Sequence, residues 1–346
     1  MTRTIRSRIV GILTLAVAAA IATPSAAASA APHERPRDHP VKTRGCHRAP
    51  DLPEGQTVER GIDSGGYHRT YLIHLPEGYD PARPTPVVLA FHGRKGDGSD
   101  IEAYSGIDAL DAIAVYPRGL PGADDKTAFE GAPYSPPSDD VLFVSDLLDH
   151  LQRTLCVDPD RIYATGKSNG GGFTALLACR LPHRIAAFAA VSGAFYPQSA
   201  QGCGPGIPVS IMEFHGTADP IIEYGGGESH GEPFPAIPDW LQRWVHHDHC
   251  VSPAGYRRIG TDVTRISWQH CARGSAVVHY RIDGAGHTWP GALVDSGPGS
   301  ATQTISATHV MWAFFLTHPL HGKLVEQVAS AHAAGRPRPP WWRFGD

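Results

Sequence analysis

The residue whose setting best suits chemistry is Ser168, in the segment Gly166-Lys167-Ser168-Asn169-Gly170. A serine framed by glycines at this spacing can occupy a strained turn between a strand and a helix, where its hydroxyl can attack a carbonyl. Residues 161–165 favour a short buried strand, and residues 171–178 favour the start of a helix. A structural Gly-rich turn is the alternative. The order of strand, serine and helix predicts a nucleophile at Ser168.

A serine is a weak nucleophile at its own pKa, so it needs a base and an acid that orients that base. In one known arrangement the acid and then a histidine follow the serine along the chain, each on a loop after a strand. Asp219 follows the apolar run 208–214, and His287 follows the run 277–282 on a glycine-rich loop. We therefore predict that His287 removes the serine proton and that Asp219 holds the imidazole.

Alternatives to these partners remain open at this stage. Asp219 precedes a proline and could be an ordinary turn residue, and His287, one of 20 histidines, could be a surface residue. Three other carboxylates fit the required position less well: Glu213, Glu223 and Asp283. If His287 is the base, activity should fall below a pH of about 6.5, because a protonated imidazole cannot accept the serine proton.

Attack of a serine on a carbonyl gives a tetrahedral intermediate with a negative oxygen, which needs hydrogen-bond donors already in place. The backbone N–H of Asn169 is the first predicted donor. The backbone N–H of Arg94, with Gly93 as second choice, is the other, because a glycine can turn this loop inward after the apolar run 86–91. His92 and Trp289 are predicted to contact the substrate, although core packing explains Trp289 equally well.

Short apolar runs alternate with helical patterns along most of the chain. Residues 71–75 alternate like a half-buried strand, and residues 86–91 are continuously apolar like a central one. Further strand-like runs lie at 113–116, 185–191, 208–214 and 277–282, and helical patterns lie at 140–148 and 308–320. Strands alternating with helices predict an α/β fold, with a mainly parallel central sheet and helices on both faces.

The two ends of the chain differ from its middle. Arginines precede the apolar run 9–20, and Ala28-Ser29-Ala30 offers small residues for cleavage, so residues 1–30 are predicted to be a signal peptide of a secreted, extracellular protein. A retained membrane anchor is the alternative. We expect an exposed lead-in at 31–45, one catalytic domain at 46–320, and a flexible Pro- and Trp-containing extension at 321–346.

Six cysteines in an exported chain predict disulfides, but six cysteines allow fifteen full pairings. The strand after Cys156 and the helix ending near Cys179 would bring both residues to the bottom of the sheet, which favours Cys156–Cys179. Cys250 and Cys271 bracket a hairpin-like stretch at 257–268 and form a second predicted pair. Elimination leaves Cys46 with Cys203. A metal site is the rival hypothesis, but no CxxC spacing occurs.

Other features are set aside as functional sites. The net charge of −4 gives no reason to expect a nucleic-acid partner. The segment His246-His247-Asp248-His249 is better explained as a solvated helix end than as a metal site, and Gly225-Gly226-Gly227 lacks the lysine and helix of a phosphate loop. We expect no metal, no cofactor, no membrane contact after signal cleavage, and a monomer.

Several segments together resemble the secreted feruloyl esterases related to polyhydroxybutyrate depolymerases, within the α/β-hydrolase superfamily. They are Phe91-His92-Gly93, residues 156–173 around Ser168, residues 185–189, residues 214–219 and residues 286–290. The resemblance extends from about residue 46 to 320 and implies the α/β-hydrolase fold and a serine esterase activity. Ser168, Asp219 and His287 match the family's catalytic positions one by one.

This resemblance implies a secreted serine carboxylesterase that acts through an acyl-enzyme on an ester of a plant polysaccharide or a polyester. Release of hydroxycinnamic acids from plant cell-wall polysaccharide is the first hypothesis. A polyhydroxybutyrate depolymerase or an acetyl-xylan-type short-chain esterase with the same triad is the second. A carbohydrate-binding protein that kept a hydrolase scaffold is the non-enzymatic alternative, and the intact set of three residues argues against it.

Overall fold

A ten-stranded sheet forms the centre of the protein in the computed structural model, which describes Met1 and residues 43–320 except 123 and 205. The strands of this sheet are β1 (Thr57–Ser64), β2 (Tyr67–His74), β3 (Thr85–Phe91), β4 (Ile113–Pro117), β7 (Val157–Lys167), β8 (Ala187–Val191), β9 (Ser210–Gly216), β12 (Gly255–Ile259), β13 (Val263–Trp268) and β14 (Val277–Ile282). Two small pairs lie outside it: β5 (Leu120–Pro121) with β6 (Thr127–Ala128), and β10 (Gly227–Ser229) with β11 (Glu232–Phe234).

The order across the sheet is β1-β2-β4-β3-β7-β8-β9-β14-β13-β12. The six strands from β4 to β14 in this order are parallel to one another, and the two strands at each edge are antiparallel to their neighbours. The central parallel strands therefore all end at the same edge of the sheet. Loops that follow them meet there.

Helices cover both faces of the sheet: α1 (Gly98–Ser105), α2 (Asp140–Thr154), α3 (Asn169–Arg180), α4 (Ile237–His247) and α5 (Ala307–Thr317). Strand β3 shows how this arises, because its successive side chains point to opposite faces. Val87, Leu89 and Phe91 pack in the cluster with α2, α3 and α4, whereas Val88 and Ala90 pack in the cluster with α1 and α5. A continuously apolar strand buried on both faces is the outcome that this sequence predicts.

The fold class expected from the sequence is confirmed, and each predicted strand run coincides with a strand of the sheet. The predicted helix at 140–148 is the first part of α2, which is capped by the Asp139 side chain accepting from the Leu142 N–H at 2.7 Å. Within the predicted lead-in, residues 43–45 are described, and Arg44 and Gly45 donate backbone hydrogen bonds to the Gln152 carbonyl. Apart from Met1, the predicted signal peptide and the C-terminal extension lie outside the described residues.

The disulfides are Cys46–Cys156, Cys179–Cys203 and Cys250–Cys271. The pairing of Cys250 with Cys271 is confirmed, whereas Cys156–Cys179 and Cys46–Cys203 were wrong. The 11 residues of β7 extend about 36 Å, but the 12 residues of α3 descend only about 18 Å. Cys179 therefore stops about halfway down the sheet, and the incoming chain brings Cys46 beside Cys156.

Candidate active site

Ser168 lies in a tight turn between β7 and α3, half-buried, with φ 57° and ψ −119°. This backbone conformation is costly for a residue with a side chain, and the surrounding hydrogen bonds hold it. The Ser168 N–H donates to the Val191 carbonyl at 3.0 Å, and the Ser168 carbonyl accepts from Gly172 and Ala194 at 3.0 and 2.9 Å. The turn is thus fixed between the neighbouring strand β8 and its own helix.

The glycines beside the serine are required by close backbone approach. A Cβ atom at Gly170 would lie 2.1 Å from the Phe91 carbonyl oxygen, and one at Gly166 would lie 2.4 Å from the Gly170 oxygen. Contacts this short do not occur in folded proteins, so only glycine fits between β3, β7 and α3. The sequence pattern around Ser168 therefore has a steric cause.

Asp219 and His287 are in direct contact. The Nδ1 atom of His287 donates to Oδ2 of Asp219 at 2.8 Å, and both side chains are buried. The other carboxylate oxygen, Oδ1, accepts the backbone N–H groups of Ile221 and Ile222 at 2.8 and 2.9 Å. The carboxylate is therefore fixed by backbone donors while it orients the imidazole.

Ser168, Asp219 and His287 follow β7, β9 and β14, which are parallel and, with β8, adjacent in the sheet. The structure thus brings all three predicted residues to one edge. Among the residues that the structure describes, the Ser168 hydroxyl makes no hydrogen bond, and contacts of a catalytic serine often form only when substrate binds.

The surroundings favour a neutral imidazole and an ionised carboxylate. Burial lowers the pKa of His287 to about 4, and the nearby Lys167 ammonium contributes to this, although the bond to Asp219 opposes it. Burial favours a higher pKa for Asp219, but hydrogen bonds with His215 and His287 outweigh it and hold this pKa well below its ordinary value. The pair can accept a proton over a wider range of pH than an ordinary histidine.

Of the two predicted oxyanion donors, Asn169 follows the serine and Arg94 lies on a loop that approaches it. Asn169 is the first residue of α3, so its N–H has no partner within the helix. The loop after β3 approaches so closely that a Cβ at Gly93 would lie 3.3 Å from the Ser168 Cβ. Among the described residues, the Arg94 N–H donates no hydrogen bond. Both groups are therefore available to a substrate oxygen.

The structure does not place His92 and Trp289 where a substrate could touch them. His92 is fully buried, accepts the Gly119 N–H at Nε2 and donates from Nδ1 to the Gly93 carbonyl at 2.7 Å, so it shapes the loop before Arg94. Trp289 is 1% exposed and donates to the Thr308 hydroxyl in the cluster beneath α5. Core packing, the alternative left open for Trp289, explains it.

A different apolar surface adjoins the site. Tyr196, Phe234 and Ile222 belong to a small buried cluster together with Ala132 and Ala194, and the partly buried Tyr134 packs against it. Ala194 bonds to Ser168 and Ile222 bonds to Asp219, as described above. The Arg94 guanidinium lies 4.7 Å from the centre of the Tyr134 ring. The sequence did not reveal this cluster, because its members come from three separate loops and the short strand β11.

Sequence analysis also missed a buried group of ionisable side chains behind Asp219. Glu213, considered only as a weaker candidate acid, contacts His215 and His279, and all three side chains are fully buried. The signal available in the sequence was the spacing of Glu213 and His215, two residues apart in a strand and thus on one face. Polar residues on the buried face of a strand that is otherwise apolar indicate a site.

One group among the described residues could hold a metal ion: His74, Glu102 and Asp108 offer ligand atoms within 4.8 Å of one another. The Thr57 hydroxyl links two of them, since it donates to Glu102 and contacts His74 Nδ1 at 3.0 Å. This group lies by β2 and α1, away from the loops that carry Ser168 and His287. No helix in the described part of the chain is long and apolar enough to cross a membrane.

Comparison with known proteins gives the class. The family described as putative esterase matches residues 64–258 of the 346-residue chain. Feruloyl esterase D of Neurospora crassa is 28% identical over 261 residues, covering 70% of this chain and 81% of that protein. The probable feruloyl esterase C of Aspergillus niger is 28% identical over 291 residues, covering 80% and 92%.

Among solved structures, the acetyl xylan esterase from Aspergillus awamori superposes with a TM-score of 0.52 and 15% identity, covering 68% of this chain and 94% of that one. At this identity the likeness concerns the fold alone. Fold, site and family match together define a carboxylic ester hydrolase with the α/β-hydrolase fold. The chain belongs to the putative esterase family.

Proposed function

We propose that the protein is a secreted serine carboxylesterase that releases hydroxycinnamic acids from plant cell-wall polysaccharide through an acyl-enzyme. The observation that carries the mechanism is the 2.8 Å contact between His287 and Asp219, at the sheet edge that also carries the strained Ser168 turn. The feruloyl esterases to which the chain is similar over most of their length support the choice of acyl group.

In this mechanism His287 takes the proton of Ser168 as its oxygen attacks the ester carbonyl, while Asp219 stabilises the resulting imidazolium. The backbone N–H groups of Asn169 and Arg94 bind the negative oxygen. His287 then returns the proton to the leaving alcohol, and water, activated by the same imidazole, hydrolyses the acyl-enzyme. No metal or organic cofactor takes part in these steps.

The apolar cluster around Tyr134 and Tyr196 supports an aromatic acyl group. Aromatic side chains provide apolar surface and edge-to-face contacts for a planar ring, and the Tyr134 and Tyr196 rings already meet in this way at 6.0 Å. We assign the acyl side of the substrate to the partly buried Tyr134, which packs against this cluster, in place of the buried Trp289. Secretion is supported by the N-terminal sequence pattern and by the three disulfides, which suit an oxidising compartment.

The test is a comparison of the purified enzyme and Ser168→Ala on methyl ferulate, acetylated xylan and soluble hydroxybutyrate oligomers. We expect methyl ferulate to be the best substrate and the substitution to lower kcat at least about 10³-fold, because the nucleophile is lost. Ser192→Ala is the matched control: Ser192 also has a positive φ, of 48°, but follows β8. It should keep most of the activity.

Two results would contradict parts of the proposal. Inactivity on methyl ferulate with turnover of acetyl or hydroxybutyrate esters would reject the hydroxycinnamoyl specificity but keep the serine esterase. Full activity of Ser168→Ala on every ester would reject the mechanism itself.

A further inference from the structure

The ionisable group behind Asp219 forms a continuous chain of contacts. Oε1 of Glu213 lies 2.8 Å from His215 Nδ1, and Oε2 lies 2.7 Å from His279 Nδ1. On the other side of the ring, His215 Nε2 lies 3.3 Å from Oδ2 of Asp219, the same oxygen that accepts from His287. His215 therefore stands between two buried carboxylates and touches the predicted catalytic acid.

The hydrogen bonds fix the protonation of His215. Its Nε2 also lies 2.8 Å from the Ile222 carbonyl, which can only accept, so this nitrogen carries a hydrogen. Its Nδ1 faces Glu213, whose other oxygen faces His279 Nδ1. That His279 nitrogen also lies 3.3 Å from the Glu213 carbonyl, so it too is a donor. The N–H of His279 thus faces the Glu213 side chain at Oε2 without completing a hydrogen bond to it, which favours the ionised carboxylate. An ionised Glu213 can only accept from His215 Nδ1, so His215 donates from both nitrogens as an imidazolium.

Charge balance supports the same assignment. Glu213, His215 and Asp219 have side chains that are 0% exposed, and a buried carboxylate without a partner is strongly unfavourable. One imidazolium between the two carboxylates contacts both of them and offsets one of their two negative charges. Burial by itself lowers the pKa of His215, but the two carboxylates of Glu213 and Asp219 outweigh burial and raise this pKa to about 10.

Charged and titratable groups reach this centre from every neighbouring element, and each has a defined place. Lys167 at the end of β7 interacts electrostatically with Asp219, and Arg281 of β14 pairs with Asp283. The Tyr224 ring lies 6.0 Å from that of His215, and its hydroxyl contacts Nε2 of His279 at 3.1 Å. None of them replaces the contact that His215 makes with Asp219.

We propose that His215, held as an imidazolium by Glu213, is a positioning residue of the esterase, which keeps Asp219 ionised and turned toward His287. His215 touches no substrate atom. The inference rests on the proposed roles of Ser168, Asp219 and His287. It adds that the positive charge on His215 competes with His287 for the Asp219 carboxylate, so that it keeps the catalytic imidazole less basic.

The experiment measures the pH dependence of kcat/KM for the enzyme and for His215→Gln. Removing the positive charge should move the acid limb upward by less than about one pH unit, because His287 is then protonated more easily. The value of kcat should fall about tenfold or more through looser orientation of Asp219, with KM nearly unchanged. An acid limb at the wild-type pH, with kcat unchanged per folded molecule, would overturn the proposal.

His247→Gln is the matched control. It removes an imidazole whose Nδ1 bonds to another buried carboxylate, that of Asp248, at 2.8 Å at the end of α4. It should lower stability without moving the acid limb. An equal shift in both variants would show a general effect of losing a buried pair and would reject the specific role of His215.

A measurement on the unchanged enzyme covers the case in which His215→Gln does not fold. Nitrogen-15 NMR of the histidine rings, assigned through the backbone, should show both His215 nitrogens protonated well above the ordinary imidazole pKa of about 6.5. A single deprotonated nitrogen there would overturn the proposal. Ser168→Ala separates the two levels: if that variant is fully active, the proposed function has failed, whereas its inactivity beside an unshifted His215→Gln rejects this inference alone.

Discussion

The two halves of the site depend on different interactions, close backbone packing in one and contacts between buried charged groups in the other. The serine half, around Gly166, Ser168 and Gly170, is defined by backbone atoms so close that only hydrogen fits between them. The acid–base half, around Asp219 and His287, is defined by buried charges that compensate one another. Steric constraints act over a few consecutive residues, whereas the electrostatic arrangement draws on two strands and two loops. This difference decides what a sequence reveals and how each half should fail.

The largest effect is expected in the electrostatic half. Asp219→Asn keeps the shape of the side chain but removes the charge that stabilises the His287 imidazolium and sets its tautomer, so kcat should fall about 10⁴-fold. Asp248→Asn is the control, because this buried aspartate also meets a histidine Nδ1 at 2.8 Å but lies outside the site. Steady-state kinetics beside thermal unfolding would check this. A similar loss of kcat in both variants would contradict the assignment.

In the steric half, substitution should damage folding before chemistry. Gly170→Ala would place a methyl group 2.1 Å from the Phe91 oxygen, which forces β3 away from α3 and should cost about 3 kcal/mol or more of unfolding free energy. Gly225→Ala, where nothing lies within 4 Å, should be nearly neutral. Denaturant unfolding measures the stability of both variants. A Gly170→Ala variant as stable as Gly225→Ala would show that close backbone approach does not require glycine at position 170.

A smaller effect should appear where the two halves meet, at Lys167, the residue before the serine. Burial and, to a smaller extent, the Lys167 ammonium lower the pKa of His287, so the enzyme itself should keep its activity below the pH of about 6.5 expected from an ordinary histidine. Lys167→Met should raise that pKa and move the acid limb upward by less than about one unit. Lys126→Met, an exposed lysine paired with Asp124, is the control. The measurement is kcat/KM as a function of pH. A downward shift of the acid limb in Lys167→Met would contradict the prediction that Lys167 lowers the pKa of His287.

The sequence predicted the local features well. Strand β14 was predicted with its observed bounds, because the residues from Val277 to Ile282 are mostly apolar and lie between turn signals. Ser168, Asp219 and His287 could be placed because each directly follows an apolar strand. Strand β1 was missed, since it is an edge strand with only partial burial and no apolar run.

Features that depend on distant pairing could not be predicted from local pattern. Whether Cys156 meets Cys46 or Cys179 depends on the different lengths in space of a strand and a helix that contain nearly the same number of residues. Trp289 follows His287 closely, yet its side chain turns into the core beneath α5. The spacing of Glu213 and His215 in one strand could indicate their contact, but the contacts of His279 with Glu213 and of His215 with Asp219 depend on how β14 and the loop after β9 pack.

The pairing of β14 with β9 affects how the sheet aligns during folding. Glu213 of β9 and His279 of β14 stand directly opposite each other in the parallel register. If β14 paired one residue out of place, the His279 imidazole would turn to the other face, and the buried Glu213 carboxylate would keep only His215 as a polar neighbour. A misaligned β14 is therefore less stable than the correct register, and the difference arises beside the proposed active site. Folding to the most stable register thus also aligns the residues of that site.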